Sequence, residues 1–344
     1  MTPAESLRAE AAKRILIKDG AYGTQVQARR LASGDYCGGL DLMKDQRGNN
    51  DLLNITKPKL VRSICESFAE AGAEILATNT FNANAISQAD YGAEMLIGDI
   101  NRAAARITRE VADRDGMTCW VAGALGPTNK TLSLSPNVND PAFREVDFDQ
   151  VKAVYREQVD ALVEGGVDFI LVETIFDTLN AKAAIMATLE AEQALGRELP
   201  LMISMTLTDL SGRNLSGHTV EAFWASVRHA KPITVGLNCS FGAAQLRPHL
   251  ASLAAIADTL VMAYPNAGLP NELGEYDEAA EQTAAQVRDW ANSNLVNIVG
   301  GCCGTTPLHI AAIAGAVRDC TPRTVPAAQS GTLLAGLEPM LVAA

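Results

Sequence analysis

The sequence predicts a barrel of eight parallel strands, each followed by a helix: the α/β architecture known as the (β/α)8 or TIM barrel. Eight short apolar runs alternate with longer segments in which apolar residues recur every three or four positions. The runs are apolar at successive positions, which is typical of strands buried on both faces of a parallel sheet. The chain has 344 residues, enough for a barrel of about 250 residues. A doubly wound sheet is the alternative, because periodicity does not show whether a sheet closes, but the count of eight favours the barrel.

The predicted elements alternate along most of the chain. The strands are Ile15–Lys18, Glu74–Ala77, Cys119–Ala122, Asp168–Val172, Pro200–Met205, Ile233–Leu237, Asp258–Ala263 and Val296–Val299. The helices are Pro58–Ala71, Ile97–Arg114, Asp149–Glu164, Thr178–Leu195, Thr219–His229, Ala243–Ala257, Asp277–Asn292 and Pro307–Arg318.

Two connections are longer than the two to six residues usual in α/β units, namely Gly20–Lys57 after strand one and Gly123–Phe148 after strand three. Both follow strand ends, on the face where barrel active sites form; the alternative is that they are surface loops without a function. We divide the chain into a mixed-charge helical extension (1–14), a barrel domain (15–320) and a linker or docking tail (321–344).

Composition excludes several classes of function. The net charge of −12 argues against binding to nucleic acid or to an anionic membrane, since both require a basic surface. No apolar run approaches the roughly 20 residues that cross a bilayer, and the charged N-terminus is unlike a signal peptide. We therefore expect a cytoplasmic protein whose seven cysteines are reduced, so that clustered cysteines indicate a metal or catalytic site.

Three cysteines lie at the ends of two predicted strands. Cys302 and Cys303 follow strand eight after two glycines, and Cys239 follows strand six. Only one strand separates these two in a barrel, so the thiols are expected to converge as three zinc ligands that leave one position open. Buried structural cysteine is the alternative, and we prefer it for the isolated Cys65, Cys119 and Cys320. Cys37, in the first long loop, is not assigned.

The charge of such a site predicts its chemistry. Coordination to zinc deprotonates a thiol, and three thiolates give the site a net negative charge that makes the metal a poor Lewis acid. That environment suits a substrate thiolate that must stay electron-rich, whereas a hydrolytic zinc site more often uses neutral histidines. None of the four histidines falls at a predicted strand end (His218, His229, His249 and His309). The sequence thus favours thiol alkylation over hydrolysis.

Polar residues at other strand ends outline a substrate pocket. Asp19 and Glu173 end strands one and four and are candidates to bind an ammonium group. The flexible backbone after Asp19 offers N–H groups for a carboxylate, and Asn238 precedes Cys239. Capping or solvated carboxylates are the alternative. Together these groups predict a site for a small zwitterion with a thiol tail, such as homocysteine.

The chain resembles the homocysteine S-methyltransferase family of zinc-dependent barrels. The motifs that carry this resemblance are Asp19-Gly20-Ala21 with Gly23-Thr24, Thr78-Asn79-Thr80-Phe81, Val172-Glu173-Thr174, Gly236-Leu237-Asn238-Cys239 and Gly300-Gly301-Cys302-Cys303-Gly304-Thr305. Within the family, it most resembles the homocysteine-binding module of cobalamin-dependent methionine synthases. That resemblance rests on the stretches 48–53, 81–84, 88–92 and 135–141 and on the terminal Gly336-Leu337-Glu338-Pro339.

The resemblance implies a ligand set and a reaction. It implies one zinc ion bound by Cys239, Cys302 and Cys303. It implies a homocysteine site formed by Asp19, Gly20, Ala21, Thr80, Glu173 and Asn238. The homocysteine thiolate would take a methyl group from methylcobalamin and leave as methionine.

The cobalamin itself is expected on another polypeptide. The full enzyme continues into folate, cobalamin and reactivation modules, and no cobalamin-binding Asp-x-His-x-x-Gly loop is found in this sequence. We expect a subunit of a split methionine synthase, with an excised fragment as the alternative. Two other functions remain open: a self-sufficient enzyme that uses betaine or S-methylmethionine, and a non-catalytic module that binds zinc and homocysteine. A structural zinc site closed by a fourth protein ligand is a further alternative.

Overall fold

The computed structural model describes residues 1–114, 116, 118–328 and 330–343. Its central sheet contains β1 (Leu16–Ile17), β2 (Ile75–Ala77), β3 (Trp120–Leu125), β4 (Phe169–Ile175), β5 (Leu201–Met205), β6 (Thr234–Gly242), β7 (Leu260–Asn266) and β8 (Ile298–Val299). These strands are parallel and pair in the order β1-β8-β7-β6-β5-β4-β3-β2. A further parallel bridge joins Lys18 to Ile75, so the two edge strands also meet. The predicted (β/α)8 barrel is confirmed, and the doubly wound alternative is wrong.

Thirteen α-helices lie within the described residues. They are α1 (Pro3–Ala11), α2 (Tyr22–Ala28), α3 (Ser33–Cys37), α4 (Leu53–Thr56), α5 (Pro58–Glu70), α6 (Ala85–Gln88), α7 (Ile97–Ala112), α8 (Phe148–Gly165), α9 (Thr178–Leu195), α10 (Val220–Val227), α11 (Ala243–Ile256), α12 (Ala280–Asn292) and α13 (Pro307–Val317). Short 3-10 helices occupy Asn50–Leu52, Glu94–Leu96 and Arg228–Ala230. All eight predicted helices are present, with ends that differ by a few residues.

The core has two parts, one inside the barrel and one between the strands and the helices. Alternate strand residues such as Leu16, Ile75 and Phe169 point inward and pack together. The N-terminal extension belongs to this inner cluster, because Ala4 and Leu7 of α1 pack beneath the strands. Helix α1 begins with a capping box in which Thr2 and Glu5 bond each other's backbone N–H groups. The extension therefore closes the bottom of the barrel.

The carboxyl ends of the strands differ most from expectation. Four strands continue past their predicted ends: β3 to Leu125, β4 to Ile175, β6 to Gly242 and β7 to Asn266. Both predicted long connections are present, and the first contains α2, α3 and α4. Three more long connections, residues 78–96 after β2, 206–219 after β5 and 267–279 after β7, were not singled out from the sequence. All of these segments lie on the face that carries the strand ends, above the barrel.

The C-terminal segment forms structure that the sequence did not predict. Arg323 is buried beneath the barrel, where its guanidinium donates to the carbonyls of Ala254, Ala257 and Thr259. Strands β9 (Thr332–Ala335) and β10 (Pro339–Val342) then form an antiparallel hairpin. The hairpin lies against α10 and its N-cap, where Thr219 N–H donates to the Leu337 carbonyl. Within the described residues, no helix is both long and apolar enough to span a membrane.

Candidate functional site

Two irregular strand ends build the site. The register between β4 and β5 shifts between Val172 and Ile175, and that between β6 and β7 shifts between Asn238 and Gly242. Such bulges re-aim side chains and are frequent next to active sites. The backbone here is strained, since Thr174, Cys239 and Ser240 all have left-handed φ angles of 58°, 61° and 62°. The same shifts turn Glu173 and Cys239 toward one region above the barrel.

Cys239, Cys302 and Cys303 converge as the sequence predicted. Their three Sγ atoms lie within 4.8 Å of one another, and those of Cys239 and Cys303 are 3.6 Å apart. All three side chains are half-buried. The other four cysteines lie outside this group, and in the described part of the chain no other set of three cysteines, histidines or acids is close enough to hold a metal. We name Cys239, Cys302 and Cys303 the thiol cluster.

Glycines beside the thiol cluster serve two different purposes. Gly304 has a φ of +80°, which favours glycine and turns the chain directly after Cys303. Gly300 has ordinary dihedral angles, but a Cβ there would lie 2.9 Å from the Lys18 carbonyl oxygen and 3.0 Å from that of Asp19. Backbone freedom and close packing against Tyr276 both explain Gly304, whereas close packing of β8 against the end of β1 explains Gly300.

The thiols of the cluster influence each other's ionisation. Hydrogen bonds with Cys239 and Cys302 lower the pKa of Cys303, against the effect of its burial. The pKa of Cys302 is raised by the hydrogen bonds with Cys239 and Cys303 and by burial. One thiolate is thus stabilised at the expense of its neighbours, and a cation is needed for all three to ionise together.

Asn238 holds the end of β4 against the end of β6. This side chain is fully buried, and its Nδ2 donates to the Thr174 hydroxyl at 2.8 Å. Its Oδ1 accepts from the Ser204 hydroxyl at 2.7 Å and from the Thr174 backbone N–H at 3.1 Å. Nδ2 also lies 3.8 Å from the Cys302 sulfur. The network keeps Thr174 in its strained conformation and so fixes the position of the neighbouring Glu173.

The two predicted ammonium ligands lie near a buried lysine, with Asp19 buried and Glu173 half-buried. Asp19 is 1% exposed; its Oδ2 accepts from the Ala77 N–H, and its Oδ1 accepts from Lys18 Nζ at 2.8 Å. Oε2 of Glu173 accepts from the Tyr264 hydroxyl at 3.0 Å. Burial raises the pKa of both carboxyls, and the Lys18 ammonium opposes that rise. Burial lowers the pKa of Lys18, but attraction to Asp19 and Glu173 outweighs it, so the pKa is raised.

A model of the homocysteine S-methyltransferase family matches residues 16–317, which is almost the whole barrel. The chain belongs to the homocysteine S-methyltransferase family. It is therefore a methyltransferase, of a family whose methyl acceptor is homocysteine.

Solved structures show the same fold. The metallated form of the homocysteine methyltransferase MmuM from Escherichia coli matches with a TM-score of 0.70 at 21% identity, over 91% of this chain and 99% of that chain. The oxidised form of MmuM matches with a TM-score of 0.67 at 22% identity, over 88% and 95% of the two chains. At this identity the likeness supports the barrel assignment alone.

The thiol cluster of this homocysteine S-methyltransferase family member fits a soft metal ion. Zn–S bonds of about 2.3 Å in a tetrahedral arrangement separate sulfur atoms by about 3.8 Å, close to the distance between Cys239 and Cys303. Asn266 ends β7, the strand between those that carry the cysteines, and its buried Oδ1 has no partner among the described residues. The three convergent sulfur donors are by themselves a donor set that zinc accepts, with a fourth position left for another ligand.

Three other predicted substrate residues lie close to the end of β1 or in the barrel wall. Gly20 is buried under the Phe68 ring, and Ala21 precedes the first residue of α2, whose first turn receives no side-chain cap. Thr80 is fully buried, and its hydroxyl donates to the Ala124 carbonyl at 2.7 Å. Its role in holding the substrate stays a prediction, as do those of Gly20 and Ala21.

Sequence reasoning missed several groups that support the site. Ser204 and Tyr264 point inward from β5 and β7 and bind Asn238 and Glu173. Lys18 is inside the barrel, although a lysine at the end of an apolar run resembles a solvated strand end. The position of Lys18 could have been predicted from the alternation of side chains along a strand. Leu16 faces inward, so Lys18, two residues later, faces inward as well.

Proposed function

We propose that this chain transfers a methyl group to the thiol of L-homocysteine, giving L-methionine, with one zinc ion at Cys239, Cys302 and Cys303. The observation that carries the proposal is the convergence of these three thiols, within 4.8 Å, at the carboxyl ends of the barrel strands. Family membership supplies the acceptor class, and the donor set supplies the metal.

When bound, zinc would keep the substrate sulfur deprotonated near neutral pH, whereas only a few per cent of a free thiol with a pKa near 8.5 is ionised. The protein's own residues hold and orient the substrate. Glu173, placed by the Asn238–Thr174 contacts, receives the substrate ammonium, and the backbone at Gly20 and Ala21 receives its carboxylate.

The thiol cluster is half-buried, so a substrate sulfur bound beside it would be partly shielded from water. The substrate sulfur then forms a bond to the methyl carbon as the bond between that carbon and the donor breaks, and the donor keeps the electron pair. This direct displacement needs the donor to approach from the open face above the strand ends, where the long connections lie.

The methyl donor divides the proposal into two candidates. The resemblance of several loops to the module of cobalamin-dependent methionine synthases favours methylcobalamin, carried by a folate- and cobalamin-binding partner polypeptide. The second candidate is transfer from betaine or S-methylmethionine without a partner, since membership of the homocysteine S-methyltransferase family does not by itself select the donor. We rank methylcobalamin first because the resembling stretches include residues 135–141 and the terminal Gly-Leu-Glu-Pro.

A donor assay separates these candidates from a non-catalytic module. The purified, zinc-loaded protein is incubated with homocysteine and each donor in turn, and methionine is quantified by mass spectrometry. We expect turnover with methylcobalamin and little with betaine or S-methylmethionine. Equal rates with either small donor would reverse our ranking, and homocysteine binding without methionine from any donor would indicate a binding module.

The zinc ligands are tested by Cys302→Ser with Cys320→Ser as the matched control. Cys320 lies after α13, outside the thiol cluster, and the hydrogen bonds of its sulfur to other described residues are long, at 3.6 and 3.8 Å. We expect Cys302→Ser to lose bound zinc, measured by elemental analysis, and homocysteine binding, while Cys320→Ser keeps both. Wild-type zinc content in Cys302→Ser would show that the ligand set is wrong.

X-ray absorption at the zinc edge tests whether the site is open. We expect homocysteine to add a sulfur neighbour to the zinc coordination shell. An unchanged spectrum would indicate a structural zinc closed by a fourth protein ligand.

A further inference from the structure

Lys18 is a buried cation inside the barrel, at the end of the first strand. It follows β1, and its side chain is only 5% exposed. Its Nζ donates to Asp19 Oδ1 at 2.8 Å and lies 4.6 Å from the centroid of the Tyr264 ring. A salt bridge and a cation–π contact thus hold one ammonium group at the floor of the site.

This ammonium pairs with one of the two carboxylates that the sequence assigned to a substrate ammonium. Asp19 and Glu173 were the predicted ammonium ligands, and Lys18 is attracted electrostatically to both. Both oxygens of Asp19 are already bonded, to Lys18 and to the Ala77 N–H. In the described part of the chain, Lys18 is the one cation that forms an ion pair with Asp19.

A second ammonium would find only part of this site free. Oε2 of Glu173 accepts from Tyr264, and among the described residues no group donates to its Oε1. A substrate ammonium can pair with that oxygen, but it would also meet the positive charge of Lys18 at close range. Its net gain is therefore smaller than that of an ammonium placed between two unoccupied carboxylates.

We propose that Lys18 is a built-in occupant of the ammonium site and sets the selectivity between thiols with and without an α-amino group. This inference rests on the proposed function, since it concerns the acceptor bound at the same site. The wild-type protein should therefore distinguish homocysteine from 4-sulfanylbutanoate, which is homocysteine without its amino group, less strongly than a variant without the lysine charge does. Removing the lysine charge should free Asp19 and Glu173 for the substrate ammonium.

The test compares two acceptors on each protein preparation. The ratio of kcat/KM for homocysteine to that for 4-sulfanylbutanoate is measured for wild type, Lys18→Met and Lys18→Gln, with the donor that supports turnover. The ratio of their Kd values is measured by calorimetry on the same zinc-loaded proteins. The ratio for the two acceptors does not depend on what fraction of the protein is folded. Lys18→Gln keeps an N–H donor for Asp19, so it serves as the second variant if Lys18→Met folds poorly.

We expect both neutral variants to raise the ratio about tenfold or more in favour of homocysteine, the effect of one charge-assisted hydrogen bond. Lys18→Arg, which keeps the cation, should leave it within about twofold. An unchanged or lower ratio in both neutral variants would overturn the inference. That result is distinct from failure of the proposed function, in which homocysteine binds but no donor yields methionine.

Discussion

Replacement of Asn238 by alanine tests the network that shapes the site. The side chain makes three hydrogen bonds, two to Thr174 and one to the Ser204 hydroxyl, all at 3.1 Å or less. It is completely buried, so water cannot replace these bonds without entering the barrel. The variant leaves the Thr174 N–H and the Ser204 hydroxyl without their partner.

The expected destabilisation follows from the number of buried polar groups that lose a hydrogen-bond partner. Each buried polar group left unpaired costs about 1–3 kcal/mol, so the two groups together cost roughly 2–6 kcal/mol. Relaxation of the strained Thr174 backbone, with a φ of 58°, returns about 1 kcal/mol. We expect a net loss of about 3 kcal/mol, a large fraction of the 5–15 kcal/mol that stabilises most proteins.

The assay is urea unfolding of the metal-free, reduced protein, followed by calorimetry with homocysteine on the zinc-loaded form. Because released Thr174 no longer fixes Glu173, we expect homocysteine to bind at least about tenfold more weakly. Asn101→Ala is the matched control, because this asparagine is equally buried. Among the described residues its Oδ1 has no partner, and its Nδ2 donates to the backbone carbonyls of Ala83 and Ile97.

Two results would refute this reasoning. If Asn238→Ala unfolds within 1 kcal/mol of Asn101→Ala, the hydrogen bonds to Thr174 and Ser204 do not carry the stability assigned to them. If it is destabilised but binds homocysteine normally, the network supports the fold without positioning the substrate.

Three other variants test separate parts of the molecule. Burial raises the pKa of Asp51 to about 7, so the folded protein should lose stability as pH rises from about 4 to 7, and Asp51→Asn should flatten that decline in urea titrations at several pH values. Arg323→Met should lower the free energy of unfolding by about 2–4 kcal/mol, whereas Arg318→Met at an exposed position should leave it within about 0.5 kcal/mol. Gly300→Ala should lower the melting temperature and weaken homocysteine binding, because the added Cβ would clash with the end of β1. Gly315→Ala is the control: it lies in open space on α13 and should be neutral or stabilising. Equal effects of the two substitutions would contradict the packing argument.

Much of the fold could be predicted from the sequence because its signals are local. Strands buried on both faces appear as continuous apolar runs, and the helices between them repeat every three or four residues. The thiol cluster could also be predicted, because parallel strands of a barrel bring their carboxyl ends to one face wherever they lie in the chain. Cys239 and Cys302 are 63 residues apart in the sequence, but their proximity in space could still be predicted.

The C-terminal hairpin could not be predicted in the same way. Strands β9 and β10 are mostly exposed and carry no buried periodic face. The sequence of that segment therefore does not distinguish a hairpin from a linker. The hairpin's position depends on its contacts with α10, which are tertiary.

What the sequence determined by itself is the order of the elements and the identity of the groups at the strand ends. Only the tertiary structure decided how these groups share charge and hydrogen bonds. It placed Lys18 against Asp19, and it joined Asn238 to Thr174 across two strands. Such pairings depend on register shifts and on which way a buried side chain turns, and neither leaves a periodic signal in the sequence. The thiols follow from topology, but the charge balance beneath them follows from packing.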